Sequence, residues 1–183
     1  MRRRFLAIGL VSAVCWLGVG WAQDRFGFMP PGGIDLLERI TGTCDACDDL
    51  ATLSTEDREL DGWRSYLSEQ KASIGLSETE VETLSHYVST IFPTEAPVDT
   101  LEALPRDGRT IVIQQCQICH SIATPMLADR DRAAWLRHRN RPPHDSFDLS
   151  DAEWHLIASY LAFNAPIDES SIPAELRRGA GGY

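Results

Sequence analysis

The sequence predicts an all-α protein built from two tandem copies of one small helical domain. No segment alternates apolar and polar residues over the length of a strand, whereas two segments repeat apolar residues at helical spacing. The chain also matches itself. At an offset of 72, Cys44, Cys47 and Trp63 fall on Cys116, Cys119 and Trp135, and at 73, Leu76, Ser77, Glu80 and Tyr87 fall on Leu149, Ser150, Glu153 and Tyr160. One inserted residue reconciles the registers. Seven identities in the same order, cysteine and tryptophan among them, mark a tandem repeat.

The chain opens with MRRRFLAIGLVSAVCWLGVGWAQD, three arginines, an apolar run and then small residues around Ala22. That order predicts a secretory signal peptide over residues 1–22. The competing reading is an uncleaved anchor, since the apolar run approaches spanning length. Val14 is too bulky for a lipoprotein signal at Cys15, and RRRFL is also compatible with twin-arginine export. The expected mature protein is exported and periplasmic, with no stable membrane insertion once the signal is cleaved.

Loss of those 22 residues removes three of the 17 basic side chains and none of the 27 acidic ones, for a net charge of −13. Such an acidic surface disfavours nucleic acid and anionic lipid, and suits a basic protein partner or simple solubility. Four cysteines remain, all in two Cys-x-x-Cys pairs, in a compartment that oxidises idle thiols.

The first copy is expected over 23–93 and the second over 104–166. Between them TEAPVDTLEALPRDGR, residues 94–109, is rich in proline and acid, and its first part, 94–103, is assigned as the linker. Both copies end on one helix signal, LSETEVETLSHYVSTIFP and LSDAEWHLIASYLAFNAP. Ser77 and Ser150 stand three residues before Glu80 and Glu153, the pattern of a capping box. Val81, Leu84, Val88 and Ile91 make the apolar stripe of one helix, and Trp154, Ile157, Ala158 and Leu161 that of the other. Pro93 and Pro166 end them. The tail, 167–183, has little apolar content, with one helical turn expected in IPAELRR and loose final residues.

The chemistry concentrates in QQCQICHSI, residues 114–122. Cys-x-x-Cys-His is the attachment signature of c-type haem. Residues three apart share a helical face, so Cys116 and Cys119 can bond the two vinyl positions of one porphyrin, and His120 can turn its imidazole under the iron. A thioredoxin-like dithiol needs a strand before the motif, and none is predicted. A zinc site made from both Cys pairs would require the two copies to meet at one metal.

On these residues the second copy resembles a class I cytochrome c domain: a helix leading into CQICH, a variable middle, and a C-terminal helix with aromatic residues. The resemblance implies a compact helical fold around one covalent haem, with His120 as proximal iron ligand and a sixth ligand from the loop before the last helix. Methionine is usual there, but the loop RHRNRPPHDSFDLS contains none. His144, six residues before the Ser150 cap and stiffened by two prolines, is the leading candidate. Met126, His138 and an open position are the alternatives. Trp135 and Tyr160 are expected as core or as borders of the haem. The arginines of DRDRAAWLRHRNR are candidates for propionate pairing, for docking, or for a solvated face.

In the first copy, CDACD places Asp48 where the second has His120. A carboxylate is a poor substitute for imidazole at haem iron, and SYLSEQKASIG, before Ser77, offers neither histidine nor methionine. The first copy therefore reads as a degenerate, haem-free domain, whose Cys44 and Cys47 could form a small-loop disulfide in an oxidising compartment. The minority reading is a second haem, with Met29 as the nearest thioether. His86, within the final helix, is expected on a packing or exposed face.

Together these residues predict an electron-transfer protein, not an enzyme in its own right. It would carry single electrons through one haem c, with a redox partner protein such as a periplasmic dehydrogenase. The alternatives are a haem-based ligand sensor or weak peroxidase with an open sixth site, and a mainly structural subunit whose haem is incidental.

Overall fold

The computed structural model describes residues 25–43 and 47–177. The expected signal peptide, Cys44 and the last residues of the tail lie outside them. The described residues form helices and turns with no strand, so the all-α expectation holds. In order the helices are α1 (Gly33–Thr43), α2 (Leu50–Thr55), α3 (Leu60–Ile74), α4 (Glu78–Ile91), α5 (Gly108–Gln115), α6 (Ala123–Met126), α7 (Arg132–His138), α8 (Asp151–Asn164) and α9 (Ala174–Arg177). No helix among the described residues is long and apolar enough to cross a membrane.

α4 and α8 are both 14 residues long, and each starts on the capping box seen in the sequence. Ser77 Oγ accepts from Glu80 N while Glu80 Oε2 accepts from Ser77 N at 2.8 Å, and Ser150 with Glu153 repeats the arrangement at 2.9 Å. Both orphan donors at each helix start are thereby satisfied. α1 and α3 pack on α4, α5 and α7 pack on α8, and α4 packs against α8. The core is one cluster that runs through both halves.

Where the halves meet, the contacts are reciprocal, as in an isologous interface. Tyr87 of α4 donates its hydroxyl to Pro105 O at 2.6 Å, and Tyr160 of α8 donates to Pro30 O at 2.7 Å. Gly33 opens α1 against the Tyr87 ring and Gly108 opens α5 against Leu156 and Tyr160. A Cβ at either would stand 2.3 Å from Tyr87 Cγ or 2.4 Å from Leu156 O. Asp107 is buried and serves both halves, accepting from Thr110 N at the start of α5 at 2.8 Å and from Ile34 N in α1 at 3.0 Å. Asn164 reaches Thr83 at 2.9 Å inside the same interface.

α8 is therefore buried nearly all round. The predicted stripe, Trp154, Ile157, Ala158 and Leu161, is buried, and so are Leu156 and Tyr160 on the side turned to the first half. The tail is also more closely integrated than its composition suggested. Ile172 and Leu176 are buried in the core, and α9 supplies the expected helical turn. Its few apolar residues suffice because both insert fully.

Candidate functional site

α5 delivers the motif. Its N-cap is Asp107, and Cys116 is its C-cap, after which the chain turns through 117–120. α7 and the loop after it face this turn, and α8 forms the floor. Together they enclose a cleft lined by Cys116, His120, Trp135, His138, His144, Phe147, Trp154, Ile157 and Leu161 among others. Its wall is mostly apolar, as in small-molecule and cofactor sites. Trp154, Ile157 and Leu161 lie at helical spacing on one stripe of α8, which is how a single helix can line the cleft and still pack against the first half.

Of the residues singled out in the sequence, the fold brings Cys116, His120, His138 and His144 to this one cleft. Cys119 is exposed and is not among the lining residues. Met126 is fully buried in the core and does not line the cleft; its carbonyl accepts from Ile167 N at 3.0 Å. Met29 is likewise a buried core residue. Trp135 borders the cleft, whereas Tyr160 belongs to the contact between the halves.

The three imidazoles are close. The His120 and His144 ring centres are 6.3 Å apart, and those of His138 and His144 4.9 Å. His120 Nδ1 lies 3.1 Å from Ser121 O. A proton there is donated to the carbonyl, and Nε2 keeps its lone pair. Burial and the neighbouring His120 depress the pKa of His144. Burial, Arg130 and then His144 lower that of His138 to about 4. Both rings are neutral at pH 7 and can act as nitrogen donors. His144 Nδ1 is buried without a hydrogen-bond partner, as is Thr124 Oγ1 on the same cleft. Trp135 Nε1 is also unpartnered, but so is Trp63 Nε1 in the first half, so the indole orphan belongs to the frame and not to the cleft.

Cys116 and Cys119 are free thiols, and burial pushes the Cys116 thiol up to about 12. Redox-active Cys-x-x-Cys pairs depend on a lowered thiol pKa, so the shift is opposite to a thioredoxin-like role. Among the described residues no group of three or more His, Cys, Asp or Glu side chains is arranged to hold a bare metal ion. Of the arginines, Arg130 lies over the Trp135 ring at 5.1 Å and touches His138, Arg132 bonds Ser159 and His155, and Arg139 pairs with Asp151.

The first half carries different side chains at the equivalent positions. Trp63 and Tyr66 stand edge to face at 6.0 Å, as Trp135 and His138 do at 5.9 Å. Arg58 lies over both rings at 5.4 and 4.7 Å. The Tyr66 hydroxyl donates to Asp48 Oδ2 at 3.1 Å, a partner that sequence reasoning missed. The offset of 72 was the available signal, because it pairs Tyr66 with His138 and Asp48 with His120. α3 also continues to Ile74 with Leu67 and Ile74 buried, whereas α7 stops at His138 and the chain leaves as a loop through Pro142 and Pro143. That departure leaves room for the cleft beside His138 and His144. Cys47 is engaged in a disulfide whose partner lies outside the described residues.

No family model matches this chain, and no curated protein or solved structure is detectably similar to it.

Proposed function

We propose that the chain is an exported c-type cytochrome that carries single electrons through one haem held in the second half, as a subunit or partner of a periplasmic oxidoreductase. The observation that carries this is the pairing of His120 with His144 in an apolar cleft that also takes in Cys116, the rings 6.3 Å apart. The donor set fits haem better than a bare ion: Cys116 and Cys119 would hold the group covalently, and His120 and His144 would each offer a ring nitrogen to its iron.

The haem, when bound, supplies the one-electron redox change. Everything else falls to this chain. Cys116 and Cys119 would hold the group covalently through their sulfurs, and His120 would hold its iron. Ser121 O fixes the His120 tautomer and ring direction. Trp135, Trp154, Ile157 and Leu161 exclude water from the cleft. A histidine facing His120 favours a closed site over the open one that a ligand sensor or peroxidase needs, and bis-histidine ligation gives a lower potential than His/Met. The first half serves as a packing module, with Tyr66 hydrogen-bonded to Asp48 at the equivalent positions.

The test is haem per chain, measured by pyridine haemochrome on protein made with a haem-attachment system, with mass spectrometry of the cysteine peptides. One haem on Cys116 and Cys119, absent from the Cys116→Ser/Cys119→Ser variant, is expected. No haem removes the proposal, and two make the protein a dihaem relay.

A further inference from the structure

Resting on the haem reading, we propose that His138 is a second iron ligand in waiting, so that the cleft offers two exchangeable imidazoles besides His120. His138 lines the same cleft as His144, with the ring centres 4.9 Å apart.

The first half supplies an independent argument. Position 138 corresponds to Tyr66, and position 120 to Asp48. Tyr66 already spans that gap, its hydroxyl on the Asp48 carboxylate at 3.1 Å. A side chain at this helical position therefore reaches towards the residue that follows the Cys-x-x-Cys pair. His138 stands in the same frame, since the arginine, indole and third ring recur as Arg130, Trp135 and His138.

The frame also sets the order of use. Arg130 Nη1 lies 3.0 Å from His138 Nδ1 and 3.2 Å from Nε2, so that the guanidinium engages the ring. The His144 ring, by contrast, stands nearest His120, their centres 6.3 Å apart. His144 is thus the first ligand, and His138 takes over when His144 is removed. In the exchange one iron–nitrogen bond breaks and another forms, and no electron or proton is transferred.

The experiment uses the full chain with haem attached and compares wild type with His144→Ala, His144→Gln, His138→Ala and the His138→Ala/His144→Ala double variant. Ferric spectra report spin state, and carbon monoxide binding to the ferrous form reports an open site. Wild type, His138→Ala and both single His144 variants are expected to be low-spin. The double variant is expected to be high-spin and to bind carbon monoxide at least about tenfold faster than either single histidine variant. High-spin spectra for both His144→Ala and His144→Gln at full haem content would overturn the proposal. A low-spin double variant would do so too, by exposing another ligand, and so would a high-spin wild type. Haem content, read separately by pyridine haemochrome, distinguishes these from failure of the haem reading itself, which takes both down.

Discussion

Tyr66 donates its hydroxyl to the Asp48 carboxylate at 3.1 Å, and the same two positions in the second half are His138 and His120. One helical frame thus supports two outcomes. With tyrosine and aspartate the two positions are joined by a hydrogen bond and α3 runs on to Ile74. With two histidines the helix ends early and a cleft remains. The aspartate that looks like a lost ligand in the sequence has a positive structural role.

Removal of that bond should be felt as stability and not as haem content. Tyr66→Phe keeps the ring between Arg58 and Trp63 and deletes only the donor, at an expected cost of about 0.5–1.5 kcal/mol. Urea unfolding of the variant against wild type measures it. An unchanged midpoint would mean that the bond contributes nothing net. Asp48→His alone should not raise the haem count, because Cys47 is tied up in a disulfide.

The reciprocal tyrosines make a second case. Tyr87→Phe and Tyr160→Phe each leave a partly buried proline carbonyl without its donor, expected to cost about 1–3 kcal/mol apiece. Gly108→Ala is expected to be at least as harmful, since its Cβ would stand 2.4 Å from Leu156 O, a backbone atom that cannot simply rotate away. Thermal unfolding of the three variants should still show one transition if the halves form one cooperative unit. Separate transitions in wild type would contradict the shared core.

The capping boxes allow a matched comparison. Ser77→Ala and Ser150→Ala remove equivalent oxygens from equivalent helices, and each should cost about 1 kcal/mol. Denaturant midpoints that differ widely between them would show that the two helices do not carry equal weight in the fold.

Much of this was legible in the sequence because the signals were local. Ser-x-x-Glu before an apolar stripe specifies a helix start through bonds made within four residues, and both starts fall where the pattern puts them. Cys116, Cys119 and His120 were legible as a motif for the same reason. What could not be read is set by long-range packing. The tyrosines look like ordinary apolar-stripe residues until Pro30 and Pro105 are found beside them. Met126 stood near the motif in sequence, yet the turn through α6 carries it into the core. Cys119 shares the motif with Cys116, yet only Cys116 lines the cleft, because burial depends on the direction of the turn and not on spacing alone.

His86 yields the pH prediction. It lies on α4 at the contact between the halves, its ring 5.1 Å from Phe163 and its Nδ1 3.4 Å from Ser159 Oγ, which in turn accepts from Arg132 Nε at 2.9 Å. Burial lowers its pKa, Arg132 and Arg64 lower it further, and Glu82 only partly opposes them. The unfolded chain takes up this proton near pH 6.5, the folded chain only at lower pH. Between those values the unfolded state binds more protons, so stability present above pH 6.5 is lost as pH falls towards the folded value. His86→Gln keeps a polar side chain without the titration. Urea midpoints for wild type and His86→Gln at pH 8, 6.5 and 5 should show the wild-type protein losing ground to the variant as pH falls. A gap that stays constant, or widens in favour of wild type, would mean that His86 is as easily protonated in the folded protein as in the unfolded chain.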